Sequence, residues 1–474
     1  MSVGAASAAP TAGPAAGTPA GTAAGAIAAW HEALAADAGR AEASWTQLKG
    51  ALDRDGIGFG GRPLCTVLRP RLLAPAEYAR LATALRGLMR AFAAAGRRAA
   101  ADPAARARFH LLDWEETLFG WDSAGLEPSP LGRMDTFIDP ASGRILVTEF
   151  NAETPAGPFY NDAIARAFEQ LPITRAMARD WWVRPLHAGP GTLQALLDHY
   201  AAWRGVHERP RIAILDWPEV PTQAEFRLAQ AHFAGQGIAC VIGDPRDCEF
   251  KGGRLWLDGA PVDLVYKRVL LTELVQRAGL DCAVLQAVRA GAVCMANGIR
   301  AKLLHKKASL AVLSDERNAE WFDADMQRAI AAHVPWTRIV EARRTRDPEG
   351  REIDLLEWCA AQQDRLALKP SDDYGGHGIV LGWTVDAAEW RRALATAQAT
   401  PTVVQDRIVL PRESFPGWGE GGLVWADRQV DTAPYIAHAG YVDGVLTRLS
   451  TEALLNVTAG GGSQAPTFLV EPRA

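Results

Sequence analysis

Two runs of strand-forming residues joined by a short turn constrain the fold of this chain more than any other segment. Met134–Ile138 and Arg144–Phe150 each combine apolar and β-branched residues. They flank residues 139–143, Asp-Pro-Ala-Ser-Gly, which are residue types that favour turns. The pattern predicts a β-hairpin, so the fold has to contain an antiparallel strand pair at this position.

The predicted hairpin gathers charged and amide side chains on one face. Because side chains alternate between the two faces of a strand, Arg133 and Asp135 point the same way, as do Glu149 and Asn151. Carboxylate and amide oxygens are hard ligands, which Mg2+ uses together with substrate phosphates. The guanidinium of Arg133 can neutralise a phosphoryl group or a carboxylate beside them. The alternative interpretation is the solvent-facing polar side of an ordinary hairpin.

A second segment combines a strand, a lysine and a glycine-rich loop. Leu366–Lys369 is predicted to be a strand, and Gly375, Gly376 and Gly378 follow shortly after it. Such glycines let backbone N–H groups wrap around a phosphate, while Lys369 would supply a fixed positive charge. The segment contains neither a Walker A sequence nor a Rossmann fingerprint. A glycine-rich hairpin turn is the alternative.

Two further segments carry polar groups of interest. A helix is predicted over residues 301–313, and Lys302, Lys306 and Lys307 lie in its first half. These lysines indicate either a phosphate-binding cation or a solvated helix face. A later apolar strand ends at Gln405, whose side chain is able to bind an adenine edge. The alternative for Gln405 is a plain strand end.

The remaining pattern is helical at first and then mixed. Residues 76–100 place apolar side chains at three- and four-residue spacing, which predicts an amphipathic helix. Farther along, a strand at 211–215, a helix at 222–234 and a strand at 237–242 predict a βαβ unit and therefore a small parallel sheet. Residues 255–269 are predicted to continue that sheet.

The length of 474 residues predicts two or three domains. Residues 2–29 consist of Ala, Gly, Pro, Ser and Thr except for Val3 and Ile27, a composition typical of a disordered tail. The predicted organisation has four parts, which are a tail at 1–28, a helical region with the hairpin at 29–195, a βαβ domain at 196–299 and a C-terminal part at 300–474.

Composition excludes several classes of protein. A net charge of -5 excludes the basic footprint of a nucleic-acid-binding protein, and no stretch of 18 apolar residues predicts a membrane span. The six cysteines form no CxxC pair, which predicts reduced thiols in a soluble cytoplasmic protein and argues against a zinc site.

Taken in order, these segments resemble the circularly permuted ATP-grasp ligases, the group that includes the glutathionylspermidine synthetase ATP-grasp domain. That group carries an R-x-D sequence, then E-[FY]-N-A-[DE]-T-P, and ATP-binding lysines farther along. The corresponding segments here are Arg133-Met134-Asp135, Glu149–Pro155, the lysines within 301–313, Lys369-Pro370 before the glycines, and Val404-Gln405 at the position of the adenine-contacting hinge.

The resemblance covers roughly residues 110–470 and implies both fold and function. The implied fold is an α+β, circularly permuted ATP-grasp fold with a small βαβ pre-ATP-grasp domain and a helical N-terminal region. The implied reaction joins a small-molecule carboxylate to an amine, with ATP and Mg2+, through an acyl phosphate. The resemblance implies these residue roles: Asp135, Glu149 and Asn151 hold Mg2+, Arg133 steadies the acyl phosphate, and Lys307, Lys369, Gly375, Gly376, Gly378 and Gln405 bind ATP.

Some features depart from the group or leave alternatives open. Its bifunctional members carry an amidase domain that this chain lacks, and Gly376-His377 replaces an Arg-Glu pair in the glycine loop. Arg268 is predicted to face the acceptor site or to lie at an exposed strand end, and a loop at 460–463 is predicted to close over the site. A catalytically silent ATP-binding scaffold and a kinase-like phosphotransferase are the alternative functions. Neither the substrates nor the oligomeric state follows from the sequence.

Overall fold

The computed structural model describes residues 23–59, 61–122, 125–139, 142–372, 378–452 and 462–473. The predictions made for residues 1–22, for Gly375 and Gly376, and for 460–461 lie outside these described residues. None of the helices in the described part combines the length and the hydropathy needed to cross a lipid bilayer.

The helices of the described residues are α1 Ala24–Ala35, α2 Ala38–Arg54, α3 Pro75–Ala101, α4 Pro103–Ala107, α5 Asp113–Phe119, α6 Pro158–Glu169, α7 Pro172–Met177, α8 Gly189–Arg204, α9 Gln223–Gly235, α10 Leu271–Ala278, α11 Ala283–Arg289, α12 Ala301–His305, α13 Ala308–Ser314, α14 Ala324–His333, α15 Leu355–Ala361 and α16 Ala387–Ala397. Short 3-10 helices occur at Pro245–Asp247, Glu316–Trp321, Gln363–Arg365, Gly382–Thr384 and His438–Gly440.

The strands are β1 Gly58–Phe59, β2 Arg62–Pro63, β3 Arg71–Leu73, β4 Leu131–Ile138, β5 Ile145–Asn151, β6 Trp181–Pro185, β7 Ile212–Leu215, β8 Cys240–Gly243, β9 Glu249–Lys251, β10 Arg254–Leu257, β11 Ala260–Val262, β12 Leu264–Lys267, β13 Cys294–Ala296, β14 Thr337–Ile339, β15 Arg344–Arg346, β16 Glu352–Asp354, β17 Leu366–Pro370, β18 Val380–Leu381, β19 Thr402–Asp406, β20 Arg412–Gly419, β21 Gly422–Val430, β22 Ala433–Ala437, β23 Tyr441–Ser450 and β24 Ser463–Pro472.

A large sheet joins strands from both ends of the chain. Its strand order is β20-β21-β23-β22-β4-β5, and β24 pairs with β23, β3 and β6. The strand pairs are antiparallel except for β24 with β3. The predicted hairpin therefore lies at one edge of a sheet whose other strands come mostly from the C-terminal part.

The predicted hairpin is confirmed, and so is the sharing of one face by its polar residues. In the antiparallel register Arg133 lies opposite Asn151, and Asp135 lies opposite Glu149. The other face is apolar: the ring of Phe150 packs 4.8 Å from that of Phe92 on α3. Burial of that apolar face fixes the register, because a one-residue slip would turn the polar side chains inward.

The predicted βαβ unit is also confirmed, with one correction. Strands β7 and β8 are parallel and are joined through α9, and the complete parallel sheet has the order β13-β12-β7-β8. The prediction that residues 255–269 continue this sheet is correct only for β12. Strand β10 instead forms an antiparallel sheet with β9 and β11, because the turn at Asp258-Gly259 folds the chain back on itself; Asp258 and Gly259 both have positive φ.

Another sheet carries two of the predicted site residues. Its order is β14-β19-β17-β18, and its registered pairs are antiparallel. The strands predicted at Leu366–Lys369 and 402–405 are confirmed as β17 and β19. One face packs against α15 and α16 through buried Trp390, Leu355 and Leu366.

Two boundary predictions are wrong. The tail predicted at 1–28 is wrong for residues 24–28, because α1 begins at Ala24 and buries Ala26 and Trp30, where alanine-rich sequence both favours a helix and packs closely. The single helix predicted over 301–313 is broken. Lys306 has ψ 135°, and Lys307 precedes α13, because the backbone N–H of Lys307 donates to the carbonyl of Ser371 at 2.8 Å instead of continuing the helix.

Candidate functional site

The polar face of the hairpin forms the centre of the candidate site. Nε of Arg133 lies 2.9 Å from Oδ1 of Asp135, and Nη1 of Arg133 donates to the carbonyl of Ala156. Both side chains are buried. Glu149 and Asn151 occupy the neighbouring strand, and Nδ2 of Asn151 is a buried donor for which the described residues provide no hydrogen-bond partner. An unpaired buried amide is costly in a folded protein and is expected where a ligand completes the hydrogen bonding.

Arg448 and Asp431 belong to the same constellation. Nη2 of Arg448 lies 2.7 Å from Oδ2 of Asp135, and its Nε lies 2.5 Å from Oδ2 of Asp431. Arg448 comes from β23 and Asp431 directly follows β21, so both reach the hairpin only because the large sheet is assembled. They were not among the predicted site residues, since no local motif marks either of them.

The two arginines control the charge of Asp135. Burial alone would raise the pKa of this carboxyl, but Arg133 and Arg448 hold it well below its usual range. Asp431 has the opposite shift, since burial raises its pKa despite the contact with Arg448. Asp135 is therefore an anion at neutral pH, which a metal ligand has to be.

The broken lysine helix brings Lys307 to the hairpin. Nζ of Lys307 lies 2.8 Å from Oε1 of Glu149. Burial acts to raise the pKa of Glu149, but Lys307 lowers it below the ordinary value. Phosphate oxygens beside this pair would contact the ammonium group of Lys307 and lie next to Glu149, a potential metal ligand.

Lys369 extends from β17 toward the same carboxylates. Its Nζ donates to Oε1 of Gln405 at 2.6 Å, and Nε2 of Gln405 donates in turn to the hydroxyl of Thr337 at 3.0 Å. Burial lowers the pKa of Lys369 to about 8, while Glu149 acts to raise it and Lys307 to lower it. The side-chain amide of Gln405 is thus hydrogen-bonded to both Lys369 and Thr337.

Lys302 and Lys306 are engaged elsewhere, in a buried group of charges. Nζ of Lys302 lies 2.6 Å from Oδ1 of Asp372 and 3.5 Å from Oε2 of Glu153, and Nζ of Lys306 lies 2.8 Å from Oε2 of Glu115. Both lysines are almost fully buried. Of the three lysines in this segment, Lys307 is the one paired with a residue of the hairpin face.

Glu153 connects three parts of the molecule. It lies two residues after the hairpin and is completely buried. Its Oε1 lies 3.0 Å from Nζ of Lys267 on β12 and accepts the backbone N–H of Leu271, while its Oε2 faces Lys302. In the sequence, Glu153 stands out only as part of the E-F-N-A-E-T-P segment, and no local pattern indicates its contact partners.

Arg268 and Gly378 were also singled out from the sequence. Arg268 is not at an exposed strand end: it is buried, donates to the carbonyl of Pro155 at 2.6 Å, and lies 3.7 Å from Glu225. Gly378 has φ +67°, a conformation that glycine adopts without strain. Ser463, at the end of the predicted closing loop, lies in β24 and accepts the backbone N–H of Thr66.

The side chains of Asp135, Glu149 and Asn151 fit a magnesium ion whose other ligands are phosphate oxygens. Within the described residues, no group of three His, Cys, Asp or Glu side chains is arranged to hold a metal ion without help from other ligands. Asp135 and Glu149 nevertheless offer two cross-strand carboxylates on one face, with the amide of Asn151 beside them. Mg2+ is commonly held by one or two carboxylates plus substrate phosphates, and this face supplies that number.

Comparison with known proteins supports the fold rather than a particular family. No protein-family model matches the chain, and no curated protein sequence matches it. Among solved structures, a glutathione synthetase-like effector from Globodera pallida is similar, with a TM-score of 0.57, 11% sequence identity, and coverage of 90% of this chain and 96% of the effector. D-alanyl-alanine synthetase A from Vibrio cholerae matches with a TM-score of 0.27 and 11% identity over 52% of this chain and 68% of that protein, a similarity too low to inform the fold.

The similarity to the Globodera effector extends over nearly the whole of both chains. It agrees with the mixed α/β architecture, in which an antiparallel sheet bearing Lys369 stands beside a large sheet bearing the hairpin. The protein therefore has an ATP-grasp-like fold.

Proposed function

We propose that the protein is an ATP-dependent carboxylate–amine ligase of the circularly permuted ATP-grasp type. In this reaction the γ-phosphoryl group of ATP passes to the carboxylate substrate. The amine then attacks the acyl phosphate, forms the amide bond and releases inorganic phosphate. Phosphoryl transfer depends mainly on positioning and on neutralising charge, which are tasks for fixed cations and metal-binding carboxylates.

One observation carries the proposal. The hairpin face with Asp135 and Glu149 meets Lys307 and Lys369, which come from two other elements. Asp135 and Lys307 are buried, and Glu149 and Lys369 are half-buried, so the carboxylates and the cations that a site for Mg-ATP requires stand together at one place. The chain's ATP-grasp-like fold is consistent with this assignment.

In the proposed mechanism, Lys307 and Lys369 bind the ATP phosphates. Lys307 exchanges its contact with Glu149 for phosphate oxygens, which frees the carboxylate for metal binding. Gln405 keeps Nζ of Lys369 oriented through their 2.6 Å hydrogen bond. Gly375, Gly376 and Gly378 are proposed to supply backbone N–H groups to the phosphates, and the backbone next to Gln405 to contact the adenine.

Asp135, Glu149 and Asn151 are the residues that would hold Mg2+. The ion, when bound, neutralises negative charge that develops on the transferring phosphoryl group. Arg133 and Arg448 flank Asp135, so they are placed to orient the carboxylate substrate and to stabilise the acyl phosphate. Each guanidinium donates in a fixed fork that matches carboxylate and phosphate oxygens.

ADP formation tests the proposal directly. The purified protein is incubated with Mg-ATP and with pools of carboxylic acids, amino acids, small peptides and polyamines. We expect ADP to form only when both a carboxylate and an amine are present, and we expect turnover to fall at least a hundredfold in Glu149→Ala, because that variant lacks a metal ligand. The exposed Glu249→Ala serves as the control and keeps full turnover.

The same assay separates the alternatives. A kinase-like phosphotransferase would form ADP with an acceptor but without an amine. A silent scaffold would bind ATP, measured by calorimetry, and would show no ADP formation with any pool, a result that contradicts the ligase proposal.

A further inference from the structure

Asn297 ties the parallel sheet to the open end of the hairpin, which is the end opposite its turn. Asn297 directly follows β13 and is completely buried. Its side chain faces Leu131, the first residue of β4, and it also faces Ala152 and Glu153, the two residues that follow β5. Asn297 lies outside the segments from which the site was predicted, and the mechanism described above does not use it.

Both ends of the Asn297 amide are hydrogen-bonded to backbone groups. Its Oδ1 accepts the N–H of Leu131 at 3.2 Å, and its Nδ2 donates to the carbonyl of the same residue at 2.8 Å. Nδ2 also donates to the carbonyl of Ala152 at 2.9 Å and to that of Glu153 at 3.1 Å. A side-chain amide offers an acceptor and two donors at one place, which these four backbone groups require.

The amide takes the place of strand pairing that β5 does not continue. The hairpin register ends with Arg133 opposite Asn151, and the next pair on the same face would join Leu131 to Glu153. The chain instead leaves the sheet at the end of β5. Asn297 gives Leu131 the acceptor and the donor that a paired strand residue would have given, so no buried backbone group is left unpaired there.

The parallel sheet fixes the position of Asn297. Strand β13 pairs with β12, and Cys294 and Ala296 of β13 pack in one buried cluster with Leu131. Asn297 has φ 53°, a left-handed conformation that asparagine adopts more readily than most other residues with a Cβ atom. Glycine is therefore the replacement that removes the amide without straining the backbone.

Ser129 supports the same open end. Its hydroxyl lies 2.7 Å from the carbonyl oxygen of Leu131 and 2.7 Å from that of Ala152. Ser129 is also buried. Because a hydroxyl has a single proton to donate, Ser129 contributes less to these carbonyls than the two N–H bonds of the Asn297 amide.

The open end lies next to two residues of the candidate site. Arg133 is two residues beyond Leu131, and Asn151 immediately precedes Ala152. Chain segments that lack further pairing open most easily in a folded protein, so Arg133 and Asn151 would be the first pair to separate without the Asn297 amide. Such opening would widen the gap between the metal-binding side chains of β4 and those of β5.

We propose that Asn297 is a positioning residue for the metal site, because its amide holds the two hairpin strands at the separation that Asp135, Glu149 and Asn151 need to bind one ion. This inference rests on the magnesium site of the proposed function. Mg2+ demands nearly ideal octahedral geometry, so a small change in the separation of two strands weakens its binding. Loss of a group that orients metal ligands typically lowers metal affinity by about ten- to a hundredfold.

Binding of Mn2+ in the presence of ADP tests this proposal without requiring turnover. Mn2+ takes the same oxygen ligands as Mg2+, and electron paramagnetic resonance measures the unbound ion. In Asn297→Gly we expect the affinity for Mn2+ to fall at least about tenfold. The affinity for ADP without metal should be unchanged, because the phosphate-binding lysines belong to other elements. In Ser129→Ala the affinity for Mn2+ should fall by about two- to fivefold, as expected for one neutral hydrogen bond.

Two further variants separate positioning from general stability. Asn161→Ala is the matched control: Asn161 is completely buried on α6, and its Nδ2 donates to the carbonyl of Leu186 at 2.9 Å. Its replacement should lower the melting temperature and leave the affinity for Mn2+ unchanged. Asn297→Ala should bind Mn2+ as weakly as Asn297→Gly and melt at a lower temperature, because alanine is strained at positive φ. Circular dichroism checks that each variant is folded at the temperature of the binding measurement.

Several outcomes would overturn the inference. They are an unchanged affinity for Mn2+ in folded Asn297→Gly, an equal loss of that affinity in Asn161→Ala, and an equal loss of affinity for metal-free ADP in Asn297→Gly, which would indicate general distortion. If neither Asn297 variant folds, an unchanged affinity for Mn2+ in Ser129→Ala overturns it.

The same measurements keep this inference separate from the proposed function. An affinity for Mn2+ that depends on Asn297 in a protein without ATP turnover supports the positioning role and contradicts the ligase function. ATP turnover together with an unchanged affinity for Mn2+ in Asn297→Gly contradicts the positioning role alone.

Discussion

Lys369 is an amine whose charge changes within the range of pH in which enzymes work. Burial lowers its pKa to about 8, so the protonated form predominates at neutral pH and the neutral form predominates above pH 8. Only the protonated form attracts phosphate. The affinity for nucleotide should therefore follow the protonation state of Lys369.

We predict that affinity for Mg-ATP falls as the pH rises through about 8. The change should amount to about fivefold or more, because a partly buried lysine–phosphate contact is worth at least about 1 kcal/mol. In Lys369→Met the affinity should be low at every pH and should show no step near pH 8. Titration calorimetry between pH 6.5 and 9.5 measures both proteins, and Lys251→Met, at an exposed lysine, is the control. A step that persists in Lys369→Met would show that another group titrates.

At the scale of residues, the sequence predicts the site best where the chemistry is local. Alternation along the strands placed Asp135 and Glu149 on one face, because this relation depends only on neighbouring residues and on hairpin register. Arg448 and Asp431 could not be predicted in the same way. They meet Asp135 through pairing of strands about 300 residues away in sequence, and no local pattern encodes that pairing.

At the scale of elements, the interruption between α12 and α13 decides which lysine reaches the hairpin. Alanine and leucine favour helix throughout this segment, so propensity alone predicts one continuous helix. The prediction fails because Ser371 offers better partners from outside the segment. Its carbonyl accepts the N–H of Lys307 and its hydroxyl accepts the N–H of Ala308, which starts α13 in a new direction.

We predict that Ser371→Ala reduces stability and weakens nucleotide binding together. The N–H of Ala308 would lose its hydroxyl partner in a buried position, which costs about 1–3 kcal/mol of the free energy of unfolding. The backbone at Lys307 would also be held less firmly, because one of the two hydrogen bonds from this segment to Ser371 is lost. Urea unfolding and Mg-ADP calorimetry measure the two effects, and Ser142→Ala, at an exposed serine in the hairpin turn, is the control. Unchanged unfolding would show that Ser371 does not hold the interruption.

At the scale of the whole molecule, one carboxylate links the hairpin region to two other parts. Glu153 pairs with Lys267 of the parallel sheet and with Lys302 of α12. The pKa of Lys267 is lowered chiefly by burial, while the charge of Glu153 opposes that shift. Removing Glu153 would leave two buried ammonium groups with less compensation.

We predict that Glu153→Leu lowers the free energy of unfolding by about 3–5 kcal/mol, because it breaks buried ion pairs by removing one partner. Glu249→Leu is the matched control: Glu249 forms an exposed pair with Lys251, and its removal should cost no more than about 1 kcal/mol. Denaturant unfolding followed by tryptophan fluorescence measures both. Equal costs for the two variants would contradict the role given to Glu153.

The large sheet combines strands that are far apart in sequence, and this also affects how the chain folds. Strand β24 supplies Thr467 as the partner of Arg71, and it pairs through Phe468 with Pro185 of β6. When a ribosome synthesises the protein, β3 and β6 are completed hundreds of residues before β24. Their edges therefore stay unpaired until β24 has been synthesised. Contacts this distant in sequence slow folding and leave strand edges open to other chains. Newly made chains should therefore be prone to aggregate until β24 has been translated.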